Sequence, residues 1–308
     1  MIQPNKYLVV ISGPTGIGKT DLAFIIAQKF NAEIIGADSR QFYKDLKIGV
    51  SIPPEDYLKK IPHHFISFLS ITDYYNAYKY ERDVINFLEN YFTKKNVALL
   101  VGGSGLYIDA VCKGIDDMPD CDFDLRNYLN KQYSIYGISW LRKLLYYYDP
   151  IIYNKVDLNN HKRLIRFIEV SILAKKPYSS IIKKTNKERN FKIIKIAINQ
   201  NRTDLYNKID KRVDEMIKNG LIEEAKSLYK FKDLLPLKTI GYQEIFSFID
   251  GKISLSEAID KIKFNTHKYA KKQISWLKRD KKYVWFDFNN FDDLIKNVEN
   301  YLKKNLVF

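Results

Sequence analysis

The sequence predicts an α/β fold: a parallel sheet flanked by helices, with an all-helical subdomain inserted into it. Three observations carry this. Along residues 7–101, apolar β-branched runs alternate with segments of helical period: strand 7–12, helix 20–30, strand 33–37, a helix around 77–93 and strand 97–101. That is the rhythm of consecutive strand–helix–strand units. From about Asp116 to Lys187 the strand signals fade, and Tyr, Leu, Ile and Lys recur at helical spacing up to a basic tail at Lys183-Lys184. Then Phe191–Ile198 alternates apolar and basic residues before a continuous apolar end, which reads as a strand returning to the sheet. The expected division is a core of residues 1–114 and 188–308 around an insert of 115–187.

The elements follow in order. Tyr7–Ser12 is an apolar, β-branched run that closes on Ser12, and it reads as a parallel strand buried on both faces. The next eight residues, Gly13, Pro14, Thr15, Gly16, Ile17, Gly18, Lys19 and Thr20, match G-x-x-x-x-G-K-[ST] at every fixed position. A helix with Leu22, Ile25, Ile26 and Lys29 at helical spacing follows. Strand, glycine loop and helix start aim consecutive N–H groups and a helix dipole at an anion. The core is therefore expected to be P-loop NTPase-like, with Lys19 on the terminal phosphates and the Thr20 hydroxyl on a Mg2+ ion.

In open parallel sheets, ligands sit beyond the carboxyl ends of the strands. Loop 13–20, Asp38 after strand 33–37, and Ser104 after strand 97–101 should therefore converge. An ordinary ATPase of this fold carries an acid after a later apolar strand, whereas strand 97–101 runs into Gly102-Gly103-Ser104-Gly105. Asp38 is the available acid, open to three roles: metal ligand, helix N-cap or general base. His63 and His64 follow Pro62 in an expected loop, too few for a metal site, and His161 and His267 support no site. Helices 204–218 and 221–229 are separated by the stop signal Asn219-Gly220.

Composition narrows the partner. At 308 residues, 46% hydrophobic and 28% charged, the chain is globular, and its net charge of +15 with a pI near 9.4 favours a polyanion, most often nucleic acid. Coding bias would scatter the lysines. Instead nine Lys/Arg fall between Lys261 and Lys282 against one acid, Asp280. On a helix, Lys261, Lys268, Lys272 and Arg279 would form one stripe, beside a core-facing stripe of Ile262, Tyr269 and Trp276. A merely solvated lysine face remains the alternative. Cys112 and Cys121 fit no disulfide or metal framework, so a reducing compartment is expected. No signal peptide or membrane-length apolar segment is read, so the expectation is a cytoplasmic protein with no membrane partner.

The ordered set Gly13–Thr20, Asp38-Ser39-Arg40-Gln41, Pro62-His63-His64, Val101–Tyr107, Arg163-Leu164-Ile165-Arg166 with Glu169, Ile240-Gly241-Tyr242 and Ala270–Trp276 resembles the tRNA dimethylallyltransferases. The resemblance runs from residue 7 to about 286. It implies a monomeric prenyltransferase with the nucleotide-binding type of loop. Loop 13–20 would hold the diphosphate of dimethylallyl diphosphate with Mg2+ at Thr20. Asp38 would take the proton from N6 of adenosine 37, and Ser104 would hydrogen-bond near the acceptor amine or the bridging oxygen. By the same match, the tRNA anticodon stem-loop would meet Asp38, Ser39, Arg40, Gln41, Ser104, Arg126, Lys162, Arg163, Leu164, Ile165, Arg166, Lys238, Gly241, Tyr242, Gln243, Lys272 and Gln273. The chain departs from the family pattern at Ser104, where threonine is usual, at Ile52, where lysine is, and at Lys272, where arginine is. A P-loop small-molecule kinase binding ATP, or an RNA-binding protein without chemistry, would share the loop but leave parts of the ordered set without purpose.

Overall fold

The structure is a computed structural model describing residues 5–183 and 186–307; Lys184 of the insert's basic tail lies outside the described residues. Six strands form one sheet: β1 (Tyr7–Ser12), β2 (Glu33–Gly36), β3 (His63–His64), β4 (Val97–Gly102), β5 (Lys192–Asn199) and β6 (Tyr283–Asp287). Their order is β3-β2-β4-β1-β5-β6, and every pairing is parallel. The central strand β1 is buried at all six positions, the reason its sequence shows no polar alternation. Its residues divide by the pleat: Leu8 and Val10 join one apolar cluster, Tyr7, Val9 and Ile11 the other.

Helices α1 (Lys19–Lys29), α2 (Glu55–Lys60), α3 (Ala77–Tyr91) and α4 (Gly105–Lys113) belong to the first half of the core. The insert contributes α5 (Phe123–Tyr148), α6 (Pro150–Tyr153), α7 (His161–Ala174) and α8 (Tyr178–Ile181). The core resumes with α9 (Arg202–Lys218), α10 (Leu221–Leu228), α11 (Tyr242–Ile249), α12 (Leu255–Leu277) and α13 (Phe291–Asn305). Tyr80, Val84 and Leu88 of α3 pack on one face of the sheet, and Leu22 and Ile26 of α1 with Leu294, Val298 and Leu302 of α13 on the other. Short polar side chains start several helices by accepting otherwise unpaired N–H groups: Asn76 from Lys79, Asn201 from Thr203, and Ser254 in a capping box with Glu257. Gly220, at φ +99°, makes the turn between α9 and α10.

Three elements differ from the sequence expectation. His63 and His64 form an edge strand rather than a loop, paired only with Ile34 and Ile35; two residues are too few to show a period. Helix α12 begins at Leu255 and stops at Leu277, so Arg279 lies beyond it and leaves the stripe drawn through Lys261, Lys268 and Lys272. The turn after it delivers β6, whose short run Tyr283–Asp287 gave no strand signal distinct from the basic segment before it.

The chain divides into two compact units, Met1–Lys113 with Glu188–Phe308, and Gly114–Lys187. The second has its own core of Leu129, Leu141, Leu145, Leu164, Phe167 and Ile168. Inside it the buried Asp149 caps α6 through Ile152 N–H and accepts both the N–H and the hydroxyl of Ser179, at 3.0, 2.6 and 2.9 Å.

Candidate active site

From β1 the chain runs outward to β2 on one side of the sheet and later to β5 on the other. The crevice at that reversal is where an open parallel sheet binds ligands. The tips of its strands are fastened together. Ala37 N–H donates to Val101 O at 2.7 Å, Ser104 N–H to Ala37 O at 3.2 Å, and the Ser12 hydroxyl to Gly102 O at 2.9 Å. Gly102 is glycine of necessity, because a Cβ there would collide with the Ala37 carbonyl. These bonds set Asp38 beside Ser104, whose Oγ accepts Ser39 N–H at 3.1 Å. The Asp38 carboxylate accepts Arg40 N–H at 3.0 Å within a turn. No helix starts there, so the N-cap role falls away.

The phosphate loop leaves β1 beside this pair. Gly16 and Gly18 take positive φ, +80° and +88°, and Gly16 packs against Ile209, where a Cβ would stand 3.0 Å from its side chain. Lys19 Nζ donates to the carbonyls of Gly13 and Pro14 at 3.0 and 2.8 Å. Burial, with Arg212 nearby, lowers its pKa to about 7 against the opposing pull of Asp38. Arg212, from α9, donates to Ser51 Oγ at 3.0 Å and to Thr15 Oγ1 at 3.1 Å, and burial lowers its pKa too. Gln273, from α12, accepts Thr15 N–H at 2.8 Å and donates to Gly103 O at 3.0 Å. The side chain of Trp276 leaves no room for a Cβ at Gly105.

A crevice of about 390 Å³ opens over this floor, within the usual size range of small-molecule sites. Thr15, Asp38, Ser39, Arg40, Arg212, Lys238, Gly241 and Gln243 line it, together with apolar Val50, Ile209, Val213, Met216 and Ile262. Tyr269 of α12 also lines it. Burial of its hydroxyl and the nearby Asp38 carboxylate push its pKa up to about 12, against the hydrogen bonds with Ser104 and Gln273, which lower it. The residue as a whole stays partly exposed.

The rim is held by residues that do not face the cavity. Gln41 Nε2 donates to Val50 O and Ser51 O at 3.1 and 2.8 Å. The Glu224 carboxylate accepts N–H bonds from Lys47, Ile48 and Gly49 at 3.2, 2.9 and 3.0 Å, and the Tyr242 hydroxyl at 2.6 Å. Tyr242 is fully buried against Gly49, where a Cβ would come within 2.6 Å of the ring. Gln41, Tyr242 and Gln273 are therefore braces in this structure. Lys261, Lys268 and Lys272 are exposed along α12. His64 pairs with Glu33 at 2.7 Å and His63 with Ile61 O at 2.8 Å, which ties both to the sheet edge. His267 stands 2.8 Å from Asp210 and stacks on Tyr206.

In the insert, Lys162 and Arg163 are exposed on α7, with Arg163 over the Phe167 ring. Leu164 and Ile165 are buried in that unit's core. Arg126 and Arg166 converge on the buried carboxylate of Glu169, Arg166 at 2.8 Å, and Arg166 also donates to Pro119 O at 2.9 Å. Arg166 stands at i,i+3 from Glu169, the spacing of a salt-bridging helix face, whereas Arg163, three residues earlier, does not share this pair.

Sequence reasoning missed Arg212 and Glu224, and read Tyr269 as core-facing. A signal existed for the first: Ile209, Val213 and Met216 form one apolar stripe of α9, and Arg212 sits at its edge. Nothing local marks Glu224, whose partners at 47–49 are far away in sequence.

Comparison with known proteins follows this geometry. The IPP transferase family profile matches residues 41–280. A tRNA dimethylallyltransferase of Christiangramia forsetii is 47% identical over 302 residues, covering 98% of this chain and 99% of that protein. The tRNA dimethylallyltransferase 1 of Bacteroides fragilis is 43% identical, covering 97% and 99%. Among solved structures, the full-length tRNA isopentenylpyrophosphate transferase of Bacillus halodurans superposes with a TM-score of 0.72 at 30% identity, covering 98% of this chain and 97% of that one. A eukaryotic dimethylallyltransferase described as acting on tRNA shares the fold, with a TM-score of 0.80 at 23% identity, covering 99% of this chain and 81% of that one.

Proposed function

The chain belongs to the IPP transferase family, and we propose that it transfers the dimethylallyl group of dimethylallyl diphosphate to N6 of adenosine 37 in tRNA, releasing diphosphate. It is an enzyme of the prenyltransferase class, and a kinase reading is not favoured. The observation that carries the finer reading is the fastening of the β1, β2 and β4 tips, with Asp38 and Thr15 of the phosphate loop lining one crevice and the Ser104 hydroxyl bonded to Ser39 N–H in its wall.

The diphosphate would lie on the N–H groups of loop 13–20 with Lys19 and Arg212 as its cations. The adenine N6 lone pair is delocalised into the ring, so N6 is a weak nucleophile until its proton leaves. Asp38 takes that proton as the N6–carbon bond forms and the carbon–oxygen bond to diphosphate breaks. Lys19, Arg212 and the loop amides stabilise the negative charge that grows on the leaving group. Ser104 and Tyr269 offer hydroxyls beside the reacting atoms, and orientation is their part. Reaching N6 requires the base to leave its stack, at roughly a few kcal/mol.

Mg2+ fits a diphosphate-dependent site. Among the described residues no group of three or more His, Cys, Asp or Glu could hold a metal alone. The ion would therefore be held by Thr20 and by substrate oxygens, as magnesium commonly is. Bound there, it would supply charge neutralisation for the leaving diphosphate.

On the RNA side, Ser39, Arg40, Lys238 and Gln243 at the crevice and Lys261, Lys268 and Lys272 on α12 would meet the anticodon stem-loop; Lys162 and Arg163 are the exposed cations of α7. No helix among the described residues is long and apolar enough to cross a membrane. The unpaired Cys112 and Cys121 support a reducing, cytoplasmic setting, and a monomer is part of the same proposal.

The test is incubation with unmodified tRNA anticodon stem-loop, magnesium and labelled dimethylallyl diphosphate. Label in the RNA at adenosine 37 is expected. No label, with ATP consumed in the presence of a phosphoryl acceptor, would overturn the proposal.

A further inference from the structure

Helix α12 turns one face to the crevice: Ile262, Thr266 and Tyr269, at i, i+4 and i+7, all line it. One turn on, Gln273 fixes where that face stands. It is 6% exposed, its Oε1 accepts Thr15 N–H at 2.8 Å, and its Nε2 donates to Gly103 O at 3.0 Å. An amide nitrogen carries two hydrogens and only donates, so the second is free to serve the Tyr269 oxygen. The bonds of Gln273 and Ser104 with Tyr269 both lower the pKa of the phenol, as bonds donated to its oxygen do. Burial outweighs them and holds it at about 12. The oxygen is thus held in place, and the proton stays on it and is left for whatever enters the crevice. With Tyr269 37% exposed, an entering group can reach it.

Asp38 lies near enough to act on that phenol and lines the same crevice. A fixed acceptor and a fixed neutral donor therefore stand together. The Watson–Crick edge of adenine is their complement, since N6 donates and N1, bonded to the same carbon, accepts. Guanine presents the reverse, with O6 accepting and N1–H donating, so each group of the pair would meet its own kind. Bases taken out of their stack are commonly read on this edge. Arg40 and Lys238 also line the crevice, but they carry full charges, which suit a phosphate better than a neutral ring nitrogen. We infer that Tyr269 is a specificity-determining residue that donates its hydroxyl hydrogen to N1 of the acceptor adenine while Asp38 accepts from N6. This rests on the reading that N6 of an adenine is the acceptor.

The test measures kcat/KM for label transfer by the full chain to anticodon stem-loops carrying adenosine, 1-deazaadenosine or 7-deazaadenosine at position 37. The deaza bases replace one ring nitrogen by C–H and keep the amine. Tyr269→Phe removes only the hydroxyl, so kcat/KM on adenosine should fall by about tenfold, the worth of one hydrogen bond. On 7-deazaadenosine the wild-type chain should keep the same tenfold advantage. On 1-deazaadenosine the advantage should vanish, because the hydroxyl has nothing to donate to. Any change in the intrinsic reactivity of the amine is shared by both proteins and cancels in their ratio. A ratio equal on all three stem-loops would make Tyr269 a packing residue and overturn the inference. So would an advantage lost on 7-deazaadenosine and kept on 1-deazaadenosine. A wild-type chain that labels none of the three would overturn the reading of N6 as acceptor instead. Thermal melts accompany the variant; if Tyr269→Phe does not fold, Tyr269→Leu, which also lacks the hydroxyl, carries the same ratios.

Discussion

The crevice of the core and the charged cluster of the insert use the same residue types to opposite ends. In the insert, Arg126 and Arg166 converge on Glu169, a buried carboxylate that balances them within the fold. In the crevice, Lys19 and Arg212 donate only to neutral oxygens, those of Gly13, Pro14, Ser51 and Thr15, and burial lowers the pKa of both. Cations placed like the first pair hold a fold together. Cations placed like the second are less comfortable in the folded chain than in water, and an arriving anion relieves them. Surface counts of basic residues do not separate these two cases, but their partners do.

The largest effect should come from the acid of the crevice. Asp38→Asn keeps the shape of the turn and can still accept Arg40 N–H, but it cannot take a proton from N6. Label transfer to the stem-loop should fall by about 10²–10⁴-fold, with stem-loop affinity nearly unchanged. Equal losses in turnover and in RNA affinity would make Asp38 a structural residue and bring the crevice closer to the insert.

Glu169→Gln tests the other side. It leaves two guanidinium groups facing a neutral amide in a buried setting, and a cost of about 3 kcal/mol is expected. Hydrogen exchange should rise along α7. Turnover measured below the unfolding temperature should move little, because none of the three groups belongs to the crevice.

How much of this contrast was legible beforehand follows from distance along the chain. Loop 13–20, Asp38 and Ser104 each stand directly after an apolar strand, so a rule about strand ends located them without any contact information. The fold was readable for the same reason, since β1, β2, β4 and β5 are long enough to show a buried run. Two-residue β3 is too short for one, and β6, buried only at Tyr283, has no buried run to show. Gln41, Tyr242 and Gln273 were assigned to RNA by family position. The fold gives their side chains to Val50, Glu224 and Thr15, and bonds across 9 to 258 positions leave no trace in local pattern. Arg126 and Arg166 could not be told from Lys162 and Arg163 until Glu169 was seen between them.

A smaller effect concerns pH and sharpens the claim that Lys19 awaits an anion. With a pKa near 7 in the free chain, Lys19 is charged below that value and progressively neutral above it. Bound diphosphate favours the ammonium form and raises the pKa, so binding above pH 7 should take up a proton, and affinity should fall as pH rises through 7–9. Diphosphate has its own titration, which Lys19→Met shares, so the difference between the two proteins isolates the lysine. For folding the sign is reversed. Between about pH 7 and the unfolded value of 10.5 the unfolded chain holds the extra proton, so stability contributed at this site rises with pH. Lys19→Met should therefore melt no lower than wild type at pH 7 while binding diphosphate weakly. A large drop in Tm would place Lys19 with the insert's arginines, as a cation that holds the fold together.

The smallest effect is expected on α12, where exposure alone separates Lys272 from its buried neighbour Gln273. An exposed lysine near a phosphate contributes mainly through counterion release, so Lys272→Ala should weaken stem-loop binding only a few-fold and reduce the slope of log K against log salt by about one. Because lysine meets a phosphate as a point charge, Lys272→Arg should restore the slope whether or not its fork finds a second oxygen. An unchanged slope in the alanine variant would make Lys272 a solvated side chain. It would leave RNA affinity to the crevice rim and to the remaining cations of the helix, Lys261 and Lys268, where the same measurement can be repeated.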